Sequence, residues 1–524
     1  MNKKTAAIKT VIKVISVLLA IVIVILAAFG ISYAEQATRD KTMLERTDTK
    51  FYTDETGYRI ANIPYDEYLS QTERPDGALD VEGLSQENSG EENSAAIQSA
   101  IDTLSQQGGG TVYIPEGEYK ISTIMLKDNI TLFVSYGAAL ISLSCDENNA
   151  SQSPLQNGVI CADNAKNIAI TGGGTINGMG ETYTNEPAES EPFYALKYFN
   201  TYTRVIEARK RIREAKEYPR THILNLYNCE NVNISGVRLK DAANWTFIVN
   251  DCDNVNISDL IIDNSMHVAN SDGIDIKGGD NIKINHCFIA TGDDGIVLKP
   301  IEAPISNVYV SDCIISSYAN CFKIGTETQM DVSVINVNNC YFFMPNGITG
   351  GYSGIAVESC DGSNVSDINI SDITMEGVSS PFLIWLGNRL NYDKSAVGSI
   401  NGVTIKNVTA TDTEMPSAVT GCIDDDGVTH YVENVTVENV NVTYRDTQED
   451  LHIRDKIGEY TMSGYPDITR VSHVYFISHE LSKYWDLPCY SLALKHVKNI
   501  EYSTYSTTPR TCNEREELYI DDVI

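Results

Sequence analysis

The chain has 524 residues, 71 of them acidic against 39 basic, and a formal net charge of -32. A field of that sign argues against a binder of nucleic acid or anionic membranes, which needs a basic face, and a polyanionic substrate would require locally placed cations. Length alone suggests several average domains, but repeat architectures break that arithmetic.

Lys3, Lys4, Lys9 and Lys13 precede an apolar run from Val14 to Ile31, followed by Ser32-Tyr33-Ala34. A positive start, an apolar middle and a small-x-small ending fit a secretory signal peptide. The run also approaches the roughly 20 residues that span a bilayer, so an uncleaved signal anchor fits equally well. With the lysines held inside, either reading of residues 1–34 places the remainder outside the cytoplasm, and any membrane contact is through this segment. Residues 35–78 are polar and tyrosine-dotted without periodicity, and read as a linker and N-terminal arm. Residues 79–524 read as one domain.

The stretch "NSAAIQSAIDTLSQQGGG" (93–110) predicts an amphipathic helix. Asn93 or Ser94 is its expected N-cap, Ala96, Ile97, Ala100, Ile101 and Leu104 form its apolar face, and Gly108 ends it. The strand "TVYIP" follows directly, so this helix is placed across the mouth of whatever the strands build.

From there a short phrase recurs: a small polar residue, an apolar residue, any residue, an apolar residue. It appears as "NIAIT" at 167, "NVNIS" at 231 and 254, "NIKIN" at 281, "NVYVS" at 307, "VINVN" at 334, "DINIS" at 367, "GVTIK" at 402 and "NVTVE" at 434. Copies from 231 onward are separated by 23, 27, 26, 27, 33, 35 and 32 residues. Alternation within each copy means strand, and a period of this length without helices means stacked coils that bury their apolar faces on one another. The predicted fold is all-β, a right-handed parallel β-helix (a solenoid) with an N-terminal capping helix. The sixth residue after each copy's first is Val237, Leu260, Cys287, Cys313, Cys340, Ile373, Val408 and Val440. A column that alternates between cysteine and branched aliphatics is an interior stack, so these cysteines read as small hydrophobes rather than disulfides or metal ligands. No CxxC pair supports zinc. Segment 178–222 interrupts the period; its "TRVIEARKRIREAKEYPR" reads as a loop or helical excursion beside the column.

Residues 270–299, "NSDGIDIKGGDNIKINHCFIATGDDGIVLK", hold Asp272, Asp293 and Asp294 at turns entering successive strands. Asp-Gly pairs are ordinary turn material, but two in register on adjacent coils, one of them doubled, place three carboxylates about 5 Å apart along the stack. Like charges that close raise at least one pKa, supplying an acid beside a base. Alternation sends Ile274, Ile276, Ile296 and Leu298 inward. It sends Asp275, Lys277, Val297, Lys299, Lys323, Ala356 and Glu358 outward. Gly292 and Gly295 relax the backbone around the acid pair.

These residues resemble a known family. "NSDGIDI" followed by "TGDDGIVLK" is similar to the Asn-x-Asp and Asp-Asp signatures of family 28 glycoside hydrolases, the polygalacturonase group of the pectate-lyase-like β-helix superfamily. "GGGTVYIPEGEY", "YPRTHILNLYNCENVNISGV" and "LPCYSLALKHVKNI" resemble that superfamily's first, middle and C-terminal coils, so the likeness covers most of residues 95–502. The resemblance implies inverting hydrolysis of a pectic or related polysaccharide, with Asp293 as general acid and Asp272 and Asp294 activating water. It implies no metal and no cofactor, and a monomer is expected. Candidate substrate-binding residues are Asn270, Lys299, Asn320, Lys323 and Arg389.

Two departures bear on the substrate. Asn320 stands where polygalacturonases carry the histidine of a Gly-His-Gly motif. Ala356-Val357-Glu358 replaces the Arg-Ile-Lys that grips a galacturonate carboxylate. A methyl and a carboxylate would repel a uronate there, unless Lys299, Lys323 and Arg389 compensate. His286 reads as a coil-corner residue, His267 could reach the groove, and Trp385 could either stack on a sugar or pack in the core. Two rival functions remain open on the same scaffold: a uronate lyase or epimerase, and a non-catalytic carbohydrate-binding β-helix.

Overall fold

The computed structural model describes residues 50–524 apart from 56–58, 70–72, 152–154, 184–219, 267, 346–351, 388–396, 414, 425, 445–451, 455–468, 473–482, 487–488 and 510–515. The predicted signal segment, most of the 178–222 excursion, His267 and Arg389 lie outside the described residues. Among those that are described, no helix is long and apolar enough to cross a membrane.

Each coil contributes short strands to three parallel sheets, in which a strand pairs with its counterparts on the neighbouring coils. Among the described residues two small antiparallel sheets, Cys422–Ile423 with Thr429–His430 and His452–Arg454 with Lys483–Asp486 and Thr469–Ser472, are not part of these three. One sheet runs through His222–Tyr227, Phe247–Asn250, Ile274–Ile276, Ile296–Leu298, Asn320–Ile324, Ser353–Ser359 and Ser380–Leu386. A second carries the repeated phrase, with Val255, Ile282, Val308, Ile335, Ile368 and Val403 in one row. A third runs through Ile261–Asp263, Phe288–Thr291 and Ile314–Ser317. This is the right-handed parallel β-helix expected from the repeat.

The backbone explains why the phrase opens on asparagine. Asn167, Asn231, Asn254, Asn281, Asn307, Asp367 and Asn434 all hold φ between 54° and 58°, in the left-handed region that Asn and Asp tolerate better than most side chains. Gly402 fills the same place at φ 82°. Their amides also bond one another along the stack, Asn231 to Asn167 at 3.0 Å and Asn281 to Asn254 at 2.8 Å. His286 stands in a parallel corner column, at φ 49°, with Nδ1 2.7 Å from Asp259 Oδ1. It is the corner residue that its position in the repeat predicted.

The predicted interior column is buried throughout, from Val237 to Val440, in one continuous apolar cluster. Cys287, Cys313 and Cys340 lie within it, and no disulfide joins any pair among the described cysteines. Their thiols behave as the small hydrophobes that the column required.

The capping helix runs Gly90–Gln106, and its N-cap is Ser89, not Asn93 or Ser94. Ser89 and Glu92 form a reciprocal capping box, which starts the helix one turn earlier than its apolar stripe indicates. Asn93 instead bonds the carbonyls of Ser85 and Lys120, and the Ser94 hydroxyl accepts Ser122 N–H, so both tie the cap to the first coils. Gly108, at φ 98°, follows directly after the helix, as expected.

The N-terminal arm is docked along the column. Phe51 stacks on Phe343 at 4.6 Å and meets the Phe288 ring edge-on at 5.3 Å; Tyr68 stacks on His286 at 4.7 Å. Arg59 reaches Glu181 at 2.7 Å and pairs with Asp241 and Asp263. The arm thereby covers the outer face of the third sheet, where Ile261, Met266, Phe288 and Tyr318 would otherwise be bare. Phe51 is 1% exposed. Phe51→Ala is expected to destabilise the protein by about 3 kcal/mol, the usual penalty for removing a buried ring, measured as a lowered denaturant midpoint.

Candidate active site

Three consecutive turns, each leading from the third sheet into the first, present Asp272, Asp293–Asp294 and Asn320. Asp272 and Asp294 each stand two residues before the paired Ile274 and Ile296, so they occupy the same place on adjacent coils. Backbone bonds hold that register, from Gly273 N–H to the Asp294 carbonyl at 2.9 Å and from Gly295 N–H to the Asn320 carbonyl at 2.8 Å. The glycines serve by close approach and not by unusual φ. A Cβ at Gly273 would meet Gly295 O at 2.3 Å, and one at Gly292 would meet Val268 O at 2.3 Å. The turns are also stitched together by Ser271, whose hydroxyl accepts Gly292 N–H at 3.0 Å and donates to Val268 O at 2.7 Å.

The doubled aspartates point to different neighbours. Asp293 Oδ2 accepts Asn270 N–H at 3.0 Å, toward the preceding coil. Asp294 Oδ1 accepts both Asn320 N–H at 3.1 Å and Asn320 Nδ2 at 2.8 Å, toward the following coil. Asn320 is held in turn by Ser353, whose hydroxyl donates to its Oδ1 at 2.7 Å. Lys323 Nζ lies 3.4 Å from Asp294 Oδ2. Asn270 Oδ1 accepts from Arg220 Nη2 at 3.1 Å. All three carboxylates are nearly enclosed: Asp272 is 2% exposed, Asp294 4% and Asp293 9%.

Lys299 is the densest node. Its Nζ lies 2.7 Å from Asp272 Oδ2 and 2.7 Å from Asp275 Oδ1, and it sits 3.9 Å from the centroid of the Trp245 ring. The other oxygen of the base candidate, Asp272 Oδ1, has no hydrogen-bond partner. Burial pushes the Asp272 carboxyl well above the ordinary carboxylate range, Lys299 pulls it back, and the charges of Asp275, Asp293 and Asp294 add to the rise. Burial likewise lifts Asp275 to about 7 against the pull of Lys299. Burial alone would lower the Lys299 ammonium, but Asp272 and Asp275 outweigh it and hold it above the usual lysine value.

Asp275, Val297, Lys323 and Ala356 do share one outward column of the first sheet, as alternation predicted. All four are buried, and so is Glu358. Lys299, Asn320 and Lys323 therefore make their contacts within the protein, to the aspartates. Trp385 is 2% exposed and packs with Leu383, Met415 and Ala418, so it is a core residue and not a sugar platform. Sequence reasoning did not single out Asp275, Arg220, Trp245 or Ser353 as site residues. Asp275 carried a signal, an acid on the same outward face as Lys299 one coil on and Lys323 two coils on. Arg220 carried a weaker one, as the end of the basic cluster in 203–220, and Trp245 carried none. Among the described residues no group of His, Cys, Asp and Glu is arranged to hold a metal ion.

The sequence profile described as "Glycosyl hydrolases family 28" matches residues 106–456. The chain belongs to this family. It is 25% identical over 290 residues to Polygalacturonase-2 of Solanum lycopersicum, covering 54% of this chain and 56% of that one. It is 22% identical over 384 residues to a probable polygalacturonase of Vitis vinifera, covering 66% and 71%. The chain thus spans little more than half the length of the tomato enzyme. Among solved structures, the exopolygalacturonase of Thermotoga maritima superimposes with a TM-score of 0.56 at 20% identity, over 72% of this chain and 90% of that one. The family 28 exopolygalacturonase of Yersinia enterocolitica gives 0.55 at 19%, over 85% and 76%. These likenesses are of fold.

Asn320 links Asp294 to the next coil through both backbone and side chain. Asn320→Ala is expected to lower turnover at least about tenfold while the melting temperature falls only slightly, because a buried carboxylate loses the side-chain amide that donates to it at 2.8 Å. Steady-state kinetics beside thermal melting checks this.

Proposed function

We propose that this chain is an inverting O-glycosyl hydrolase acting on a pectic or related polysaccharide outside the cytoplasm. Asp293 is assigned as general acid, and Asp272 and Asp294 as the carboxylates that activate water. The observation that carries this reading is the split in orientation at the doubled aspartate. Asp294 shares the position of Asp272 on the next coil, each with a lysine partner, while Asp293 turns back to Asn270. Two lysine-paired carboxylates facing one way and a third turned toward Asn270 support the two chemical roles that inversion needs. As the glycosidic bond breaks, the leaving oxygen takes the proton of Asp293. The incoming water bonds the anomeric carbon and releases its proton to the paired aspartates.

A lyase or epimerase on this scaffold would need a neutral lysine or arginine as base beside the uronate. Lys299 is held charged between two carboxylates, which disfavours that reading. A non-catalytic binder would have no use for this arrangement of buried charge. We assign Lys299, Lys323 and Asn320 to supporting the aspartates, with Asn270 positioning Asp293. Ala356 and Glu358, where a uronate-reading pair would stand, favour a glycan that is neutral at that position.

The full chain, assayed for release of reducing ends from homogalacturonan and from neutral pectic glycans, should cleave a neutral or mixed polymer fastest. Asp293→Asn should reduce turnover about 1,000-fold. Equal activity in that variant, or no cleavage of any glycan, overturns the hydrolase reading. Homogalacturonan cleaved as fast as the neutral polymers overturns the inference from Ala356 and Glu358.

A further inference from the structure

The Lys299 ammonium bridges two carboxylates, and only one of them, Asp272, belongs to the proposed catalytic trio. Asp275 is fully buried, on the strand Ile274–Ile276 that Asp272 leads into, and it points outward under the site. It contacts Lys299 at the same 2.7 Å distance as Asp272 does, so the lysine's charge is divided equally in geometry between them. Trp245 closes the ammonium on a third side. The effect is to fix a flexible four-carbon side chain at one point, against Asp272 Oδ2, while Asp272 Oδ1 is enclosed and has no hydrogen-bond partner.

Resting on the hydrolase reading, we propose that Asp275 is a positioning residue for the reaction: it pins Lys299 against Asp272 and takes part of its charge, so that Asp272 remains a competent base. A lysine given wholly to Asp272 would stabilise its ionised form and weaken it as a proton acceptor. When Asp272 takes the proton of the attacking water it becomes neutral, and Lys299 keeps a charged partner in Asp275. No uncompensated ammonium is then left in the buried site, a state that is strongly unfavourable. The charged groups acting on Asp272 are Lys299, Asp275, Asp293 and Asp294. Glu327 acts on Lys299 and Asp275, Lys277 and Arg220 lie toward His222, and Lys323 is engaged by Asp294.

The test is the pH dependence of turnover for three full-length proteins, wild type, Asp275→Asn and Lys299→Met, on whichever glycan the wild type cleaves. Asp275→Asn removes a like charge from Asp272, so its acid limb should move to lower pH. Its plateau kcat should fall about threefold or more, with KM within about twofold of wild type. Lys299→Met removes the opposite charge, so its acid limb should move to higher pH. Opposite displacements are a signature that a merely structural role would not produce. Either variant decides alone if the other does not fold. Superimposable profiles, or displacements of the same sign, overturn the proposal. Absence of cleavage by the wild type would instead overturn the hydrolase reading, so the two failures are told apart.

Discussion

Everything at the candidate site depends on one constraint, the fixed register between successive coils. Parallel pairing repeats each position at strand spacing, about 5 Å, so a residue type repeated at one place in the coil becomes a row. That is why Asp272 and Asp294 face the same space although 22 residues separate them in sequence. The same rule makes the asparagine corners a ladder and the cysteine positions a core. Glycines at 273, 292 and 295 keep the register by permitting backbones to approach where any side chain would collide. The catalytic constellation is a local decoration of a lattice that would exist without it.

Concentrating acids on such a lattice creates an electrostatic burden, and the neighbouring strands relieve it. Asp272, Asp275 and Asp294 are offset by Lys299 and Lys323, which project from the first sheet on the following coils. The arrangement is directional. Asp272 has one oxygen bonded to Lys299 and one enclosed without a hydrogen-bond partner, Asp294 is held by an asparagine and a lysine, and Asp293 is turned away toward Asn270. Three chemically identical side chains are thus differentiated by their partners, which is what acid and base roles require. The N-terminal arm contributes at a distance. It packs against Phe288, Met266 and Tyr318, residues that lead into the turns carrying these groups.

Much of this was legible beforehand. The period and the alternation carried the fold, because burying one face of a strand leaves a two-residue trace in any sequence. The identity of the corner residues and the interior placement of Cys287, Cys313 and Cys340 followed from the same columns. The helix start was missed by one turn because the apolar stripe was weighed above the Ser89–Glu92 capping box. The arm lacked a signal altogether. Phe51, Arg59 and Tyr68 fit a surface made by segments more than 120 residues away, and no periodicity within residues 35–78 could reveal it.

Sequence by itself determined the solenoid, its inward rows, and the placement of Asp272, Asp293 and Asp294 on adjacent turns, since each is a matter of repeat position. Only the tertiary structure decided which partner each charge meets. Lys299 was placed on the outward face with the freedom to reach a substrate, and in the fold it lies between Asp272 and Asp275. Lys323 and Asn320 were candidates for the same task, and both turn to Asp294. The reason is physical: periodicity reports the face a side chain occupies, while a long cation in a buried setting goes to whichever carboxylate lies within reach, and that depends on coil spacing and side-chain direction together.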